Sequence, residues 1–350
     1  MEYAIAGNLS RWRNRYKNKP EVEFSMKFLK TALAATVVAL GVHATTASAQ
    51  EIEIKFGHVG GPGSLFEKSA NEFARLANER LEGKAEVVTY GSSQLGTDAQ
   101  LLNKLKLGTV DLALPSSIMS SVAPEFSLFE MPYLVEDRDH MRRIRDEVLR
   151  DVFYDAAESK NYRIIGIWEN GFRQITNNVR PINEPADLEG IKLRTPNGVW
   201  RVDMFKTYGA NPAPMALSEA FVALQTGAMD GQENPLVQIY SQRFQEVQDY
   251  LSLSNHVYTP AYVLAGASWS RLPEDVQQVL IETAEEVEAY ALQQGAMLDD
   301  NLLAKFEEAG MEINEVDTQA FVDGSSVIYE RFAGEVEGGQ ELLERVDELR

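Results

Sequence analysis

At 350 residues, with 44% hydrophobic and 25% charged side chains, the chain has the make-up of an ordinary soluble globular protein and the length of two domains. It contains no cysteine, which excludes a disulfide framework, a thiolate metal site and a cysteine nucleophile. A net charge of −20 argues against nucleic acid or an anionic membrane as partner, since both require a basic face.

The first 49 residues differ from the rest. Met26-Lys-Phe-Leu-Lys30 is a short basic segment, residues 31–42 are small, apolar and uncharged, and Ala47-Ser-Ala49 is a small-x-small cleavage site. Together they read as a signal peptide over 26–49, behind an upstream extension of residues 1–25. The apolar run is too short to span a bilayer, and no cysteine follows it to carry a lipid, so a soluble periplasmic protein is expected. The first 49 residues hold seven Lys/Arg and three Asp/Glu, which leaves the remainder with 26 basic and 50 acidic residues. An anion bound by such a chain must be held by local arginines and helix N-termini against the global field.

Residues 51–56 alternate strictly and predict a strand. A Gly-rich loop follows at 57–63, and Ser64 is placed to cap the next helix. The loop's spacing fits neither GxGxxG nor GxxxxGK[ST], so it is not read as a nucleotide site. A second strand is expected at 85–90, then a helix opened by Thr97 or Asp98 and ended by Gly108, a buried strand at 110–114, and a proline-broken apolar stretch at 124–135. A charged amphipathic helix is predicted over 137–160, and a strand over 163–168 leading into a turn at Glu169–Arg173. Alternation of strand and helix predicts a mostly parallel sheet with helices on both faces, whose ligands sit beyond the strands' carboxyl ends.

In the second half, Ile191-Lys-Leu193 leads to Arg194 at the end of a short strand stopped by Pro196. A helix is expected over 198–208, an extended segment over 211–215, and a helix capped by Ser218 and ended by Gly227. A strand is then read over 228–231, with Gln232-Glu-Asn-Pro235 at its end. Leu105-Lys-Leu-Gly108-Thr-Val-Asp111 matches Leu224-Gln-Thr-Gly227-Ala-Met-Asp230, which suggests two α/β halves of similar design. Residues 260–268 read as a strand crossing back. Pro273 opens a helical pattern to about residue 309, long enough to brace both halves, with Gly295 as a candidate bend. A last strand over 311–316 and an acidic, exposed helical tail complete the reading.

After residue 49 only His58, His140 and His256 remain, and no HExxH, GxSxG or paired-carboxylate motif is present. Arg173 and Arg194 supply cations near strand ends, and Asn170, Asn197, Gln232 and Asn234 supply amides that both donate and accept. An arginine fork donates two parallel hydrogen bonds to a carboxylate, so this set suits a small acid carrying hydroxyl groups. His58, on the Gly-rich loop, and Ser116, Trp200 and Leu217 join it as secondary candidates.

Ser92-Ser-Gln-Leu-Gly96, Gly171-Phe-Arg-Gln-Ile-Thr176, Leu188-Glu-Gly-Ile-Lys-Leu-Arg194-Thr-Pro-Asn197, Pro214-Met-Ala-Leu-Ser-Glu219, Ala223-Leu-Gln-Thr226 and Asp230-Gly-Gln-Glu-Asn-Pro235 stand in order. With these stretches the chain resembles the substrate-binding proteins of tripartite ATP-independent periplasmic (TRAP) transporters, especially the sialic-acid and four-carbon dicarboxylate branches. The resemblance implies a two-domain periplasmic binding protein fold, each domain a mixed, mostly parallel sheet flanked by helices, with a long helix spanning both. Domain I is expected over 51–170 plus 260–299, and domain II over 171–259 plus 300–350. By resemblance Arg194 clamps a carboxylate, Arg173 is the second arginine, and Asn197 and Asn234 are ligand amides. Ser116 and Leu217 stand where sialic-acid binders have a Glu and a Phe, which points away from sialic acid toward uronates, aldonates or dicarboxylates. The resemblance implies a monomer that binds without turnover, uses no cofactor or metal, and delivers its ligand to a TRAP membrane permease. The rival readings are a binding protein of an ATP-driven importer and a secreted enzyme with His58 or Glu169 as base.

Overall fold

The computed structural model describes residues 52–350; the expected upstream extension and signal peptide lie outside the described residues. The alternating start becomes β1 (Ile52–Gly57), and Ser64 caps α1 (Leu65–Leu81) by accepting from the Glu67 amide. β2 (Ala85–Tyr90) follows, and Thr97 opens α2 (Asp98–Leu107) with a reciprocal capping box to Gln100. Gly108 ends α2 at φ 65°, and β3 shrinks to Leu112–Ala113. The helix expected over 137–160 is α3 (Arg138–Ile144) and α4 (Arg150–Ser159), joined by a single wide turn at Arg145–Leu149.

The largest departure from expectation is β4 (Arg163–Asn177). It runs straight through the predicted turn at Glu169–Arg173. Asn-Gly reads as a turn in sequence, but here the strand absorbs it as a bulge. Pairing with β9 slips by one residue between Glu169 and Gly171, and Gly171 takes φ 115°. Beyond it come β5 (Lys192–Thr195), α5 (Val199–Thr207), β6 (Asn211–Pro214) and α6 (Leu217–Gln225). The cap of α6 is Ala216, not Ser218, and no side chain satisfies its first amides. β7 is Gly231–Pro235, so the residues expected after a strand form the strand itself. α7 (Leu236–Ser241), β8 (Tyr250–Leu253), β9 (Tyr258–Ala265), α8 (Glu274–Glu308) and β10 (Glu312–Glu315) follow. The chain closes with α9 (Thr318–Asp323), α10 (Ser326–Glu335) and α11 (Gly339–Asp347).

The strand order is β2-β1-β3-β9-β4-β7-β5-β6, with β8 and β10 branching from β4. The outer strands pair in parallel, while all pairs made by β4, and β3 with β9, are antiparallel. β4 changes partner along its length. Arg163 to Phe172 face β9, and Arg173 to Asn177 face β7. The matching sequence segments fold alike to the atom. Asp111 accepts from the Lys55 amide at 2.9 Å, and Asp230 accepts from the Lys192 amide at 2.9 Å, each acid tying a helix end to the neighbouring strand.

α8 carries 35 residues, about 50 Å at ~1.5 Å per residue. Val276, Leu280, Ala284, Val287 and Ala291 enter the main core, and Leu302 and Phe306 enter a second core with Leu224, Leu251 and Phe244. Gly295 serves close approach. A Cβ there would run into the Glu169 carboxylate, which Arg138 grips through Nε and Nη2 at 2.7–3.1 Å and Tyr258 Oη touches at 3.3 Å. Arg138 also binds Asp299 on the next turn of α8 at 2.5 Å. The tail is not an exposed appendage. Phe321, Ile328, Phe332, Leu342 and Val346 are buried, and the α11 end reaches back to α3 through His140 Nε2 to Val346 O at 3.0 Å and Arg143 to Leu349 O at 2.7 Å.

Because the Glu169 carboxylate is held at both oxygens, it cannot yield to a methyl group. Gly295→Ala should destabilise the fold by about 1–3 kcal/mol, the usual cost of overpacking. A urea midpoint equal to that of the unsubstituted chain would reject this account.

Candidate functional site

A cleft opens where the helix N-termini and strand ends of both halves meet. Its walls are the loop after β1 (Val59), the start of α2 (Thr97, Asp98), the segment after β3 (Ser116, Ser117), Asn170 and Arg173 of β4, Arg194 and Asn197, Met215 to Leu217 before and at α6, Asn234 and Gln238. The space between them is about 540 Å³, part of it open to solvent. Seven of the ten residues singled out from the sequence line it: Ser116, Asn170, Arg173, Arg194, Asn197, Leu217 and Asn234.

Arg194 is set by β5, whose parallel pairing with β6 brings Met215 alongside. Its Nε and Nη2 donate to Met215 O at 3.0 and 2.6 Å. The Nη1 side makes no hydrogen bond among the described residues, and no carboxylate lies within ion-pair distance, although the residue is buried. Burial pushes the guanidinium down to about 10, against the pull of Glu233 and Asp98, so it stays charged at neutral pH. The uncapped first turn of α6 stands at the same wall and adds free amide donors.

Arg173 is differently placed from what its pairing with Arg194 implies. Its Nε meets Glu233 Oε2 at 2.5 Å, and its Nη2 meets Glu233 Oε1 at 2.9 Å and Asn234 Oδ1 at 3.1 Å. Glu233 also takes Arg201 Nη1 at 2.7 Å and His256 Nε2 at 3.1 Å, and Arg201 continues to Glu130 at 2.8 Å. Burial would raise Glu233, but Arg173 and Arg201 overcome it and hold the carboxyl well below the usual range. Burial likewise pushes His256 down to about 4, so it is neutral beside Glu233. The buried cluster therefore sets three arginines against two glutamates, and Arg194 is the member without an ion pair.

Asn234 is oriented from behind. Its Nδ2 donates to Gln232 Oε1 at 2.5 Å, and Gln232 Nε2 donates to Thr176 Oγ1 at 2.9 Å. Gln232 is thus a support outside the cleft. Two other candidates also lie elsewhere. Trp200 packs edge-on against Phe332 and under the Arg331 guanidinium, 4.6 Å from its centroid, and lines a separate hollow with Val199 and Val336. His58 is sealed behind the Gly-rich loop against Gly60 and Gly91, and burial lowers it to about 4. In both, the sequence offered a side chain of the right kind without the direction in which it points. Glu169, the other base an enzyme reading needs, is committed to Arg138 and does not line the cleft.

Asp98 was read only as a helix opener. It lines the cleft near Arg194, and its Oδ1 is sealed with no partner. Burial pushes its carboxyl up to about 7, with Arg194 opposing. Ser117 and Gln238 also line the cleft and were not anticipated. Among the described residues no cluster of histidine and acidic side chains has metal-ligand geometry.

A two-lobed α/β fold with a cationic, amide-lined cleft between sheet ends defines a solute-binding protein. The chain belongs to the family described as bacterial extracellular solute-binding protein, family 7, whose pattern it matches over residues 56–335. It is 31% identical over 329 residues to a 2,3-diketo-L-gulonate-binding periplasmic protein of Escherichia coli, covering 93% of this chain and 100% of that one. The sugar-acid-binding protein of Advenella mimigardefordensis, solved with galactonate, superposes with a TM-score of 0.82 at 31% identity, over 86% of this chain and 99% of the other. A TRAP periplasmic solute-binding protein of Sulfurospirillum deleyianum, solved with succinate, matches with a TM-score of 0.82 at 32% identity and the same coverage.

The raised pKa of Asp98 has a definite sign. The folded state binds this proton more tightly than the unfolded chain, so folding stability falls as pH rises from the unfolded value near 4 to about 7. Asp98→Asn should therefore be more stable than the parent at pH 7–8, with the gap closing toward pH 4. Parallel stability–pH profiles would show that the Asp98 carboxyl is ordinarily solvated.

Proposed function

We propose that this protein captures a small organic acid in the periplasm and delivers it to a TRAP permease. The observation that carries the reading is Arg194: a buried, charged guanidinium beside a cleft, with no carboxylate partner among the described residues. A buried cation is costly unless paired, so the missing counter-ion is the carboxylate of the ligand. Nη1 and the second Nη2 hydrogen form the fork that receives it. Asn197, the Asn234 amide nitrogen and the first turn of α6 supply further donors around it. Arg173 contributes chiefly by position, because its charge is already matched by Glu233.

The two halves share β4 and α8, so closing the cleft is a hinge motion of one lobe against the other. Recovery of the ligand unchanged is the expected outcome of incubation, since neither His58 nor Glu169, the bases an enzyme reading requires, lines the cleft. The permease recognises the closed form, as the TRAP relationship implies.

Removing the clamp tests the reading. Arg194→Ala should weaken binding of galactonate or succinate, whichever the parent holds tighter, by about 2–5 kcal/mol. Calorimetry giving the same dissociation constant for both proteins would reject Arg194 as the carboxylate site.

A further inference from the structure

Asn170 is one of two β4 positions, with Ile165, that have no partner opposite them. β9 pairs Pro260 with Glu169 and Thr259 with Gly171, so the bulge leaves Asn170 over and turns it to the cleft wall. Only 5% of the residue is exposed. Its amide nitrogen donates twice, to Ser116 Oγ at 3.1 Å and to Thr259 Oγ1 at 3.0 Å. Both hydroxyls have already spent their own proton. Ser116 Oγ donates to Pro260 O at 2.6 Å, and Thr259 Oγ1 donates to Gly171 O at 3.4 Å.

This arrangement fixes which way the amide faces. Turning it over would set Oδ1 against two oxygens and would require Ser116 to abandon its short bond to Pro260 O, and Thr259 its longer one to Gly171 O. The nitrogen's two hydrogens are both used, and the oxygen is left buried with no partner in the protein. Along the same cleft, Asp98 Oδ1 and Ser117 Oγ are also sealed without partners. Beside the donors of Arg194, the cleft therefore also holds unpartnered side-chain oxygens at Asn170 and Asp98.

We propose that Asn170, locked as an acceptor by Ser116 and Thr259, is the residue that makes the site require a hydroxyl donor on the bound acid. The ligand class is then a polyhydroxylated monocarboxylate, with its carboxylate on Arg194 and its hydroxyls toward Asn170 and Asp98. A second carboxylate in that place would set acceptor against acceptor, and a bare methylene would leave Oδ1 without a proton. A site built to bond a hydroxyl rejects the analogue that lacks it, because its own buried polar atom stays unpaired. This inference rests on the carboxylate reading of Arg194.

Erythronate and butanoate test it, since they share a four-carbon acid frame and differ in hydroxyls; succinate adds the second carboxylate. Calorimetry on the unsubstituted protein should give erythronate a dissociation constant roughly 10- to 100-fold below those of butanoate and succinate. In Asn170→Ala that ratio should fall to within a few-fold. In the double variant Ser116→Ala/Thr259→Val, which removes both hydroxyls that hold the amide nitrogen and frees the amide to turn and donate, succinate should gain on erythronate. That double variant and the parent's own selectivity decide the matter even if Asn170→Ala fails to fold. Equal binding of all acids by the parent, or an unchanged preference in the variants, overturns the role of Asn170 and leaves the carboxylate clamp standing. No binding of any acid, including galactonate, overturns both.

Discussion

The buried charge cluster around Glu233 is the constraint on which the cleft depends. Three guanidinium groups are brought out of water within reach of one another, and only the glutamates between them make this tolerable. Glu233 does the central part, meeting Arg173, Arg201 and His256 at once. Its carboxyl is held ionised by Arg173 and Arg201. The surplus of one cation falls on Arg194, the only one of the three that reaches the cleft without an acid in tow. A strongly acidic chain thereby acquires a small positive place, beside the Asn234 amide whose orientation is set from behind by Gln232 and Thr176.

The position of the site follows from β4. Its partner changes between Phe172 and Arg173, so Asn170 lies on the β9-paired part of the strand and Arg173, three residues on, lies on the β7-paired part. The bulge at Asn170 is what allows a continuous strand to present both side chains to the same space. The lock on Asn170 in turn involves Thr259 and Pro260, the strand that crosses back.

Much of this was legible in the sequence, and the failures have physical reasons. Periodic segments with caps were read nearly to the residue, as at Ser64, Thr97, Gly108 and the long α8, because caps and periodicity are local. The matched segments ending in Asp111 and Asp230 also signalled a real structural equivalence. Asn170-Gly171 misled, since a turn dipeptide and a bulge have the same local chemistry and differ only in whether a partner strand is present. The neutralisation of Arg173 by Glu233 joins residues 60 apart, which no local pattern reports. Asp98 was visible as a helix opener, and that role hid its second one at the cleft. His58 and Trp200 fit the chemistry but point elsewhere, which composition cannot tell.

The three short helices at the C-terminus carry a consequence for how the chain comes to be folded. α11 seals the surface of α3, with Val346 O on His140 and Leu349 O on Arg143, while Tyr329 reaches Pro132 O. α3 is therefore tied to residues 206 positions further along the chain. Contacts so distant in sequence close late and cost loop entropy before they return any stability.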